Sequence, residues 1–452
     1  MLQVMKRTSE NFLLVHSELQ LIQQSADALG NICKVISSKT TNNVERTLLE
    51  FLKNPTHRIL IISERAFLRI SDLTLLKKWK IVLDDVVNFH QYKVINTLKK
   101  EVIHKKLFTN FSDLDQKYCT AELTRLFDDD VLNEIYKIFE FIDLYDEFRM
   151  NSNFFATKIQ NGNETYCNDC NQLSIMAWVD VKKYIDAGLN MTFMANKFTE
   201  SLLYRSNPTM FTKSLINLRQ RKVAVNKRLK VYYFLEKKRF SNTYRTENPN
   251  ALANIAHYIQ KSISGQYYYT ANKNNANDMQ KILSSGQYIS PNSRGMNMFQ
   301  HFTTAVWLAS MKPSPVEVVM CREYFGISGK DLIQAREYEN LYQFINRSNL
   351  RDYDSDSEIV IYVIDREQAE SLGTMNMHHI DLGLENDNSV SSPLGRPIIY
   401  SDEDKALRKA FSTYMSNRKD KKPLSIKQFD KWCNKRSLTE TQISMLRDML
   451  NK

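Results

Sequence analysis

Two stretches of this 452-residue chain alternate short apolar runs with helical patterns, and this alternation constrains the fold more than any other feature. In the first stretch, from Asn11 to about Val86, the apolar runs include NFLLVHS, HRILIIS and WKIVLDD. In the second, from about 229 to 366, they include KVYYFLE and EIVIYVIDR. Apolar strands that alternate with helices build parallel sheets covered on both faces. The sequence therefore predicts an α/β protein.

The remaining segments differ in pattern. LKKEVIHKKLF and DDDVLNEIYKIFEFIDLYDEF, within residues 87–188, look helical and predict a helical insertion before the sheet resumes at NMTFMAN. Residues 374–401 are polar and turn-rich, which is typical of a linker. We therefore expect a first domain over 1–200, a second over 201–373, the linker, and a small helical C-terminal region over 402–452.

Positive charge is concentrated in one part of the chain. The net charge is +11, and the stretch from Arg205 to Thr246 alone has twelve Lys or Arg residues against one acid, Glu236. A polyanion is the natural partner of such a strip, because each neutralised phosphate releases counterions. The alternative is a solvated helix followed by a strand with core aromatics. The residues expected to contact DNA or RNA are Arg219, Arg221, Lys222, Lys227 and Arg228.

Composition indicates an intracellular protein. The six cysteines are mostly isolated, unlike a secreted disulfide framework, and no apolar run reaches the roughly 18 residues of a membrane span. We expect a cytoplasmic location, which for a viral protein would be the host cytoplasm, and no membrane partner. Cys167 and Cys170 form one CxxC; two surface thiols fit this better than zinc, which usually needs a second ligand pair.

The segment IVLDDV, residues 81–86, is the strongest local signal for chemistry. Its apolar residues lead into Asp84 and Asp85, which places both acids at the carboxyl end of a parallel strand, where ligands bind in open α/β sheets. In phosphate-hydrolysing motors the first such acid holds magnesium and a following group orients the attacking water. Apolar strands also end in Asp at ordinary turns, so the segment alone leaves both interpretations open. An unrelated metal hydrolase would need a second acidic cluster, for which the sequence has no sign.

The order of several further segments resembles superfamily-two (DEAD/DEAH-type) helicases, particularly their divergent phage-like branch, over about residues 10–366. NFLLVHSELQLIQQ is similar to the motif Ia region, IVLDDV stands at the DEAD/DEAH position, and NMTFMANKFTES falls where motif III belongs. YYYTANKN is similar to motif IV, and SRGMNMFQHFTTAVWLASMKPSP to motif V, with Gly295 and Asn297 at its turn. YENLYQFINRSNLRD resembles motif VI, with Gln343, Arg347 and Arg351.

The resemblance implies two RecA-like parallel-sheet domains, a nucleic-acid partner, and ATP with Mg²⁺ as cofactors. It assigns the magnesium-binding role to Asp84 and the water-orienting role to Asp85, which stands where the family has Glu. Arg347 and Arg351 are four residues apart, so on a helix they share one face. In the family such arginines reach across the cleft and stabilise charge on the transferred phosphoryl group.

A phosphate-binding loop of the type GxxxxGK[ST] is missing from the sequence, and its only Gly-Lys, in FGISGKD, has the wrong context. Two hypotheses follow. In the first, a second polypeptide supplies the missing strand and loop in trans, fills an open slot beside residues 80–84, and completes an ATP-dependent motor that unwinds or remodels nucleic acid. In the second, the chain is a catalytically inactive helicase relative that binds nucleic acid without ATP turnover.

Overall fold

A computed structural model describes two compact units, residues 1–385 and 386–452. In the first unit the described ranges are 1–85, 89–96, 108–113, 116–123, 138, 140–155, 157–160, 163–166, 172–214, 220–291 and 298–385. In the second they are 407, 410–411, 414, 426–436, 438, 442–443 and 446–447.

The first sheet contains five parallel strands in the order β12-β4-β1-β3-β2. These strands are β1 (Phe12–His16), β2 (Cys33–Ile36), β3 (Ile59–Ser63), β4 (Lys80–Asp84) and β12 (Asn190–Met194). The helices of this half are α1 (Leu2–Arg7), α2 (Leu19–Leu29), α3 (Val44–Lys53), α4 (Glu64–Leu68), α5 (Lys182–Asp186) and α6 (Leu202–Ser206).

Apolar side chains of β1 are buried on both faces of this sheet. Leu13 and Val15 pack in a core with α3 and α4, whereas Phe12 and Leu14 pack in a second core with α1 and α2. A continuous apolar run is what a strand covered on both faces requires. The α/β prediction for the first stretch is therefore confirmed.

Strand β4, which ends in Asp84, has a neighbour on each side. Its residues pair with β1 on one side and with β12 on the other, in register from Lys80 to Asp84. The expected open slot beside residues 80–84 was wrong. Strand β12 returns to the sheet after the insertion and pairs with the backbone edge that we expected to be open.

The insertion is built around an antiparallel sheet, so the helical prediction for residues 87–188 was wrong for the part that is described. The sheet order is β5-β11-β8-β7-β6, and a separate hairpin pairs β9 with β10. The strands are β5 (His90–Asn96), β6 (Phe108–Ser112), β7 (Tyr118–Leu123), β8 (Glu147–Asn151), β9 (Thr157–Gln160), β10 (Asn163–Tyr166) and β11 (Gln172–Trp178).

The second sheet has the order β15-β14-β16-β17-β13-β18, and its strands are parallel. The strands are β13 (Leu229–Leu235), β14 (Tyr268–Ala271), β15 (Gln287–Tyr288), β16 (Thr304–Leu308), β17 (Ile359–Asp365) and β18 (Met377–His379). The helices are α7 (Val225–Arg228), α8 (Asn242–Glu247), α9 (Ala251–Ser262), α10 (Ala276–Ile282), α11 (Pro315–Phe325), α12 (Gly329–Ile333), α13 (Glu339–Ile345) and α14 (Arg366–Glu370).

Helices cover both faces of the second sheet as well. Ala305 and Trp307 of β16 pack toward α13 and α14, and Val306 and Leu308 pack toward α9 and α10. The chain thus has two parallel-sheet halves covered by helices, which confirms the α/β prediction from the alternating pattern and agrees with the RecA-like domains that the resemblance implied.

Residues 374–385 belong to the second half, so the linker expected over 374–401 was wrong in this part. Met377 to His379 form β18, which extends the sheet beside Val231 to Tyr233 of β13. Residues 386–401 lie outside the described residues. In the second unit, helix α15 (Ile426–Asn434) contributes to a small apolar cluster around Trp432. No described helix is both long and apolar enough to cross a bilayer.

Candidate active-site cleft

His16 and Asp84 end two neighbouring strands and lie side by side at the carboxyl edge of the first sheet. The parallel register of β1 and β4 pairs these residues directly. The His16 Nδ1 atom is 3.1 Å from the Asp84 carboxylate, which is an ion-pair distance. His16 is 3% exposed and Asp84 37% exposed. The acid is therefore partly exposed to solvent, while the buried ring lies against it.

The His16 ring is held from its other side. Its Nε2 atom is 2.8 Å from the hydroxyl oxygen of Ser25, which lies on α2 and is buried. The ring is fixed between a helix and the acid strand, because both of its nitrogens face polar atoms at short distance. Sequence reasoning missed His16, although its position at the end of an apolar strand matches that of Asp84.

Asp85 leaves the strand in a conformation that few side-chain-bearing residues adopt. Its φ is +83°, in the left-handed region, and its backbone N–H donates to the Met194 carbonyl at 2.9 Å. Asp85 lines a small cavity of about 40 Å³ together with Asn196, Lys197 and Glu339. The turn thus directs the chain away from the strand axis immediately after Asp84.

The turn that follows β1 lacks the features of a phosphate-binding loop. It runs through His16, Ser17 and Glu18 into α2 without a glycine. Glu18 is exposed beside the first turn of the helix, and its side chain does not cap it. Because a phosphate at a helix N-terminus is stabilised by free amides and the helix dipole, a carboxylate at that position opposes it electrostatically.

A magnesium–nucleotide complex does not fit the described residues well. Magnesium usually takes one or two carboxylates and completes its shell with water and substrate phosphates. Asp84 could supply one carboxylate, but His16 already lies against it. No described group of three His, Cys, Asp or Glu residues could hold a metal ion. Magnesium at Asp84 would therefore rest on one carboxylate, with its remaining ligands from water and phosphate.

The predicted arginine helix is shorter than expected. Helix α13 ends at Ile345, and Asn346 follows as its cap. Arg347 comes after the helix and is buried, at 4% exposure, whereas Arg351 lies in a 3-10 turn over Asn349–Arg351. The prediction that both arginines share one helical face was therefore wrong. The helix ends too early for the four-residue spacing to apply.

Arg351 of the second half is exposed. Desolvation lowers the pKa of its guanidinium, while Tyr353 and the Asp84 carboxylate of the first half act in the opposite direction. By contrast, Arg347 lies near Tyr268, whose pKa is raised by burial and lowered in part by that arginine.

Gln343 and its neighbours bridge the cleft. Its side-chain amide donates to a Glu339 carboxylate oxygen at 2.8 Å, and Glu339 also accepts from the Asn196 amide of the first half at 3.2 Å. Two further contacts join the halves: an ion pair between Arg205 and Asp331 at 2.6 Å, and a hydrogen bond from Gln334 to Glu200 at 2.8 Å. The halves are thus held together by several polar contacts.

Arg228, from the predicted basic strip, is buried inside the second half. It is 2% exposed, and its guanidinium donates to the carbonyls of Ser357 and Asp352 at 3.0 and 3.1 Å. It also donates to the Asn349 side chain at 2.7 Å. In this structure Arg228 stabilises the loop of residues 346–357 that carries Arg351.

Two more residues of the strip contact the same loop. The Arg221 guanidinium donates to the Leu350 carbonyl and lies 4.1 Å from the centre of the Tyr353 ring. Lys222 forms an exposed ion pair with Asp356 at 2.9 Å. Lys227 is exposed. Arg219, Gly295, Asn297, Cys167 and Cys170 lie outside the described residues.

Comparisons with known proteins give matches among solved structures. No family model and no curated protein matches the sequence. An XPD helicase is similar at 11% identity and a TM-score of 0.41, over 84% of this chain and 88% of that one. Xpd4 of S. tokodaii is similar at 11% identity and a TM-score of 0.44, over 82% and 96%. S. cerevisiae Dbp5 bound to Gle1 and IP6 follows at 10% and 0.28, over 82% and 77%.

Proposed function

We propose that this chain is a nucleic-acid-binding relative of superfamily-two helicases that does not hydrolyse ATP on its own. The observation that carries the proposal is the position of His16 against Asp84, at 3.1 Å. The acid that a motor would use for magnesium already has an internal partner. The turn after β1 carries the exposed carboxylate of Glu18 and no glycine. Both features support the inactive hypothesis over the motor hypothesis.

Charge supports the nucleic-acid part of the proposal. The chain has a net charge of +11, most of it in the strip from Arg205 to Thr246. We propose Lys222 and Lys227 as phosphate contacts, because their side chains are exposed. Arg221 and Arg228 would act indirectly, through the loop that they hold. Arg219 remains a proposed contact from the sequence pattern.

An ATP-dependent motor is the second candidate, and one observation favours it. The negative charge of Asp84 acts to raise the pKa of Arg351, as it would for an arginine placed to stabilise a transferred phosphate near that acid. Such a motor needs a phosphate-binding loop that the described residues lack. In that case Asp84 would bind magnesium, and Gly295 and Asn297 would contribute to the nucleotide site. A second polypeptide would have no free edge of β4 to pair with, because β12 already pairs with that edge.

ATP hydrolysis and oligonucleotide binding by the full chain separate these candidates. We expect saturable binding of single- or double-stranded DNA or RNA, and a hydrolysis rate no higher than that of Asp84→Ala. Hydrolysis that depends on nucleic acid and disappears in Asp84→Ala would establish the motor instead. Absence of binding to all four classes of oligonucleotide would reject the proposal.

A further inference from the structure

Three consecutive backbone amides converge on one carboxylate just beyond β13. The N–H groups of Glu236, Lys237 and Lys238 donate to the Glu385 carboxylate at 3.0, 2.9 and 2.7 Å. We call residues 236–238 the amide cradle. Glu385 is 147 to 149 residues away in sequence, so tertiary structure alone creates this arrangement.

The amide cradle has the properties of an anion site. Successive backbone N–H groups that point into one concavity bind anions, as in many phosphate sites. The cradle follows the carboxyl end of a parallel strand, where ligands bind in α/β sheets. It also lies in the basic strip, and the side chain of Lys237 is exposed beside it. A phosphate group therefore matches both its donors and its charge.

The carboxylate that accepts from the amide cradle belongs to Glu385, at the end of residues 374–385. We call residues 374–385 the strap. It joins the second sheet through the three residues of β18, at the outer edge of β13. Near its end, the Tyr244 hydroxyl donates to the Leu384 carbonyl at 3.0 Å. Much of the strap is exposed, including Met375 at 97%. Its other apolar side chains are partly buried: Met377 packs against one core of the second half, and Ile380, Leu382 and Leu384 pack against the other.

We propose that the amide cradle is a phosphate-binding site and that Glu385 is a built-in competitor for it. Release of the Glu385 carboxylate, at the end of the strap, exposes three amides to a phosphate of the nucleic-acid backbone. This use of the cradle rests on the nucleic-acid binding proposed above. The cradle itself would also bind free inorganic phosphate. Affinity for nucleic acid is then reduced by the fraction of molecules in which Glu385 occupies the cradle.

Oligonucleotide binding by Glu385→Gln tests the competition. The uncharged side-chain amide of the variant should bind the three N–H groups less strongly than the carboxylate does. We therefore expect the affinity for oligonucleotide to rise by roughly threefold or more. Glu45→Gln is the matched control, because it removes the same charge from an exposed position in the first half. Equal effects of the two variants would overturn the proposal.

Direct detection of phosphate separates failure of this inference from failure of the proposed function. In protein labelled with ¹⁵N-lysine, inorganic phosphate should shift the Lys237 and Lys238 amide signals at lower concentration in Glu385→Gln than in the wild type. Unchanged signals in both proteins would reject the cradle as a site. Shifted signals without any oligonucleotide binding would support the cradle and reject nucleic acid as its ligand. If Glu385→Gln unfolds, Glu385→Asp, which shortens the side chain and keeps the charge, replaces it.

Discussion

The imidazole of His16 lies 3.1 Å from the carboxylate of Asp84, and both residues end neighbouring parallel strands of the first sheet. The register forces this proximity, because residue pairs of parallel neighbours end at the same edge of a sheet. The buried ring is also 2.8 Å from the Ser25 hydroxyl. Asp84 is therefore part of an internal polar network, although its carboxylate is partly exposed.

Separate and combined removal of the two side chains should measure this network. We expect His16→Ala to lower the free energy of unfolding by about 2–3 kcal/mol, because it empties a buried site and leaves Ser25 unpaired. Asp84→Ala should cost only about 0–1 kcal/mol, because its carboxylate is partly exposed. Denaturant unfolding of both single variants and the double variant gives the coupling, which we expect near 0.5–1.5 kcal/mol. Strictly additive costs would show that the pair has no interaction.

Arg228 and Lys227 are adjacent bases with opposite surroundings, which makes them a matched pair. Arg228→Ala should lower the free energy of unfolding by about 3 kcal/mol or more, because several loop carbonyls lose a buried donor. Lys227→Ala should change it by no more than about 0.5 kcal/mol. The denaturant midpoints of the two variants test this difference in stability. Similar midpoints would mean that the loop does not depend on Arg228.

Lys227 should instead affect nucleic-acid binding. If it contacts a phosphate, Lys227→Gln reduces the slope of log affinity against log salt by about 0.7–0.9 without altering stability. Fluorescence anisotropy across a salt series measures the slope. Lys78→Gln serves as the control, since Lys78 is exposed and lies before the amino end of β4, away from Asp84. A slope identical to that of the wild type would place Lys227 outside the binding surface.

His90 should make stability depend on pH. It lies at the start of β5, with its ring 4.8 Å from that of Phe325 and its Nε2 3.1 Å from the Ser206 hydroxyl. Burial lowers the pKa of His90 to about 4, below the ordinary value of 6.5. The unfolded chain therefore binds the proton first as the pH falls. Stability is complete above pH 6.5 and is lost progressively toward pH 4, by about 3 kcal/mol.

Comparison with His90→Gln isolates this effect from other titrating groups. The variant should lose the part of the pH dependence between about pH 6.5 and 4 that the wild type shows in urea unfolding. A wild-type curve parallel to that of the variant over this range would show that His90 titrates normally in the folded protein.

The burial of individual residues in the basic strip could not be predicted from the sequence. Arg228 and Lys227 have the same charge and adjacent positions, yet Arg228 is buried, at 2% exposure, whereas Lys227 is exposed. Their difference depends on the loop of residues 346–357, more than a hundred residues away. The His16–Asp84 contact likewise depends on which strand lies beside β4. Local pattern carries no information about such distant partners.

Local chemistry decided the two parallel sheets, because apolar runs that alternate with helical patterns must be buried on both faces. It also placed Asp84 at a strand end. Long-range pairing decided the rest. Strands β5 and β11 are joined over some eighty residues, and their mixed polar and apolar residues become strand only through that pairing. Strand β12 pairs with the edge of β4 for the same reason. Backbone hydrogen bonds between strands depend on which strands are adjacent in the folded protein, whatever their separation in sequence.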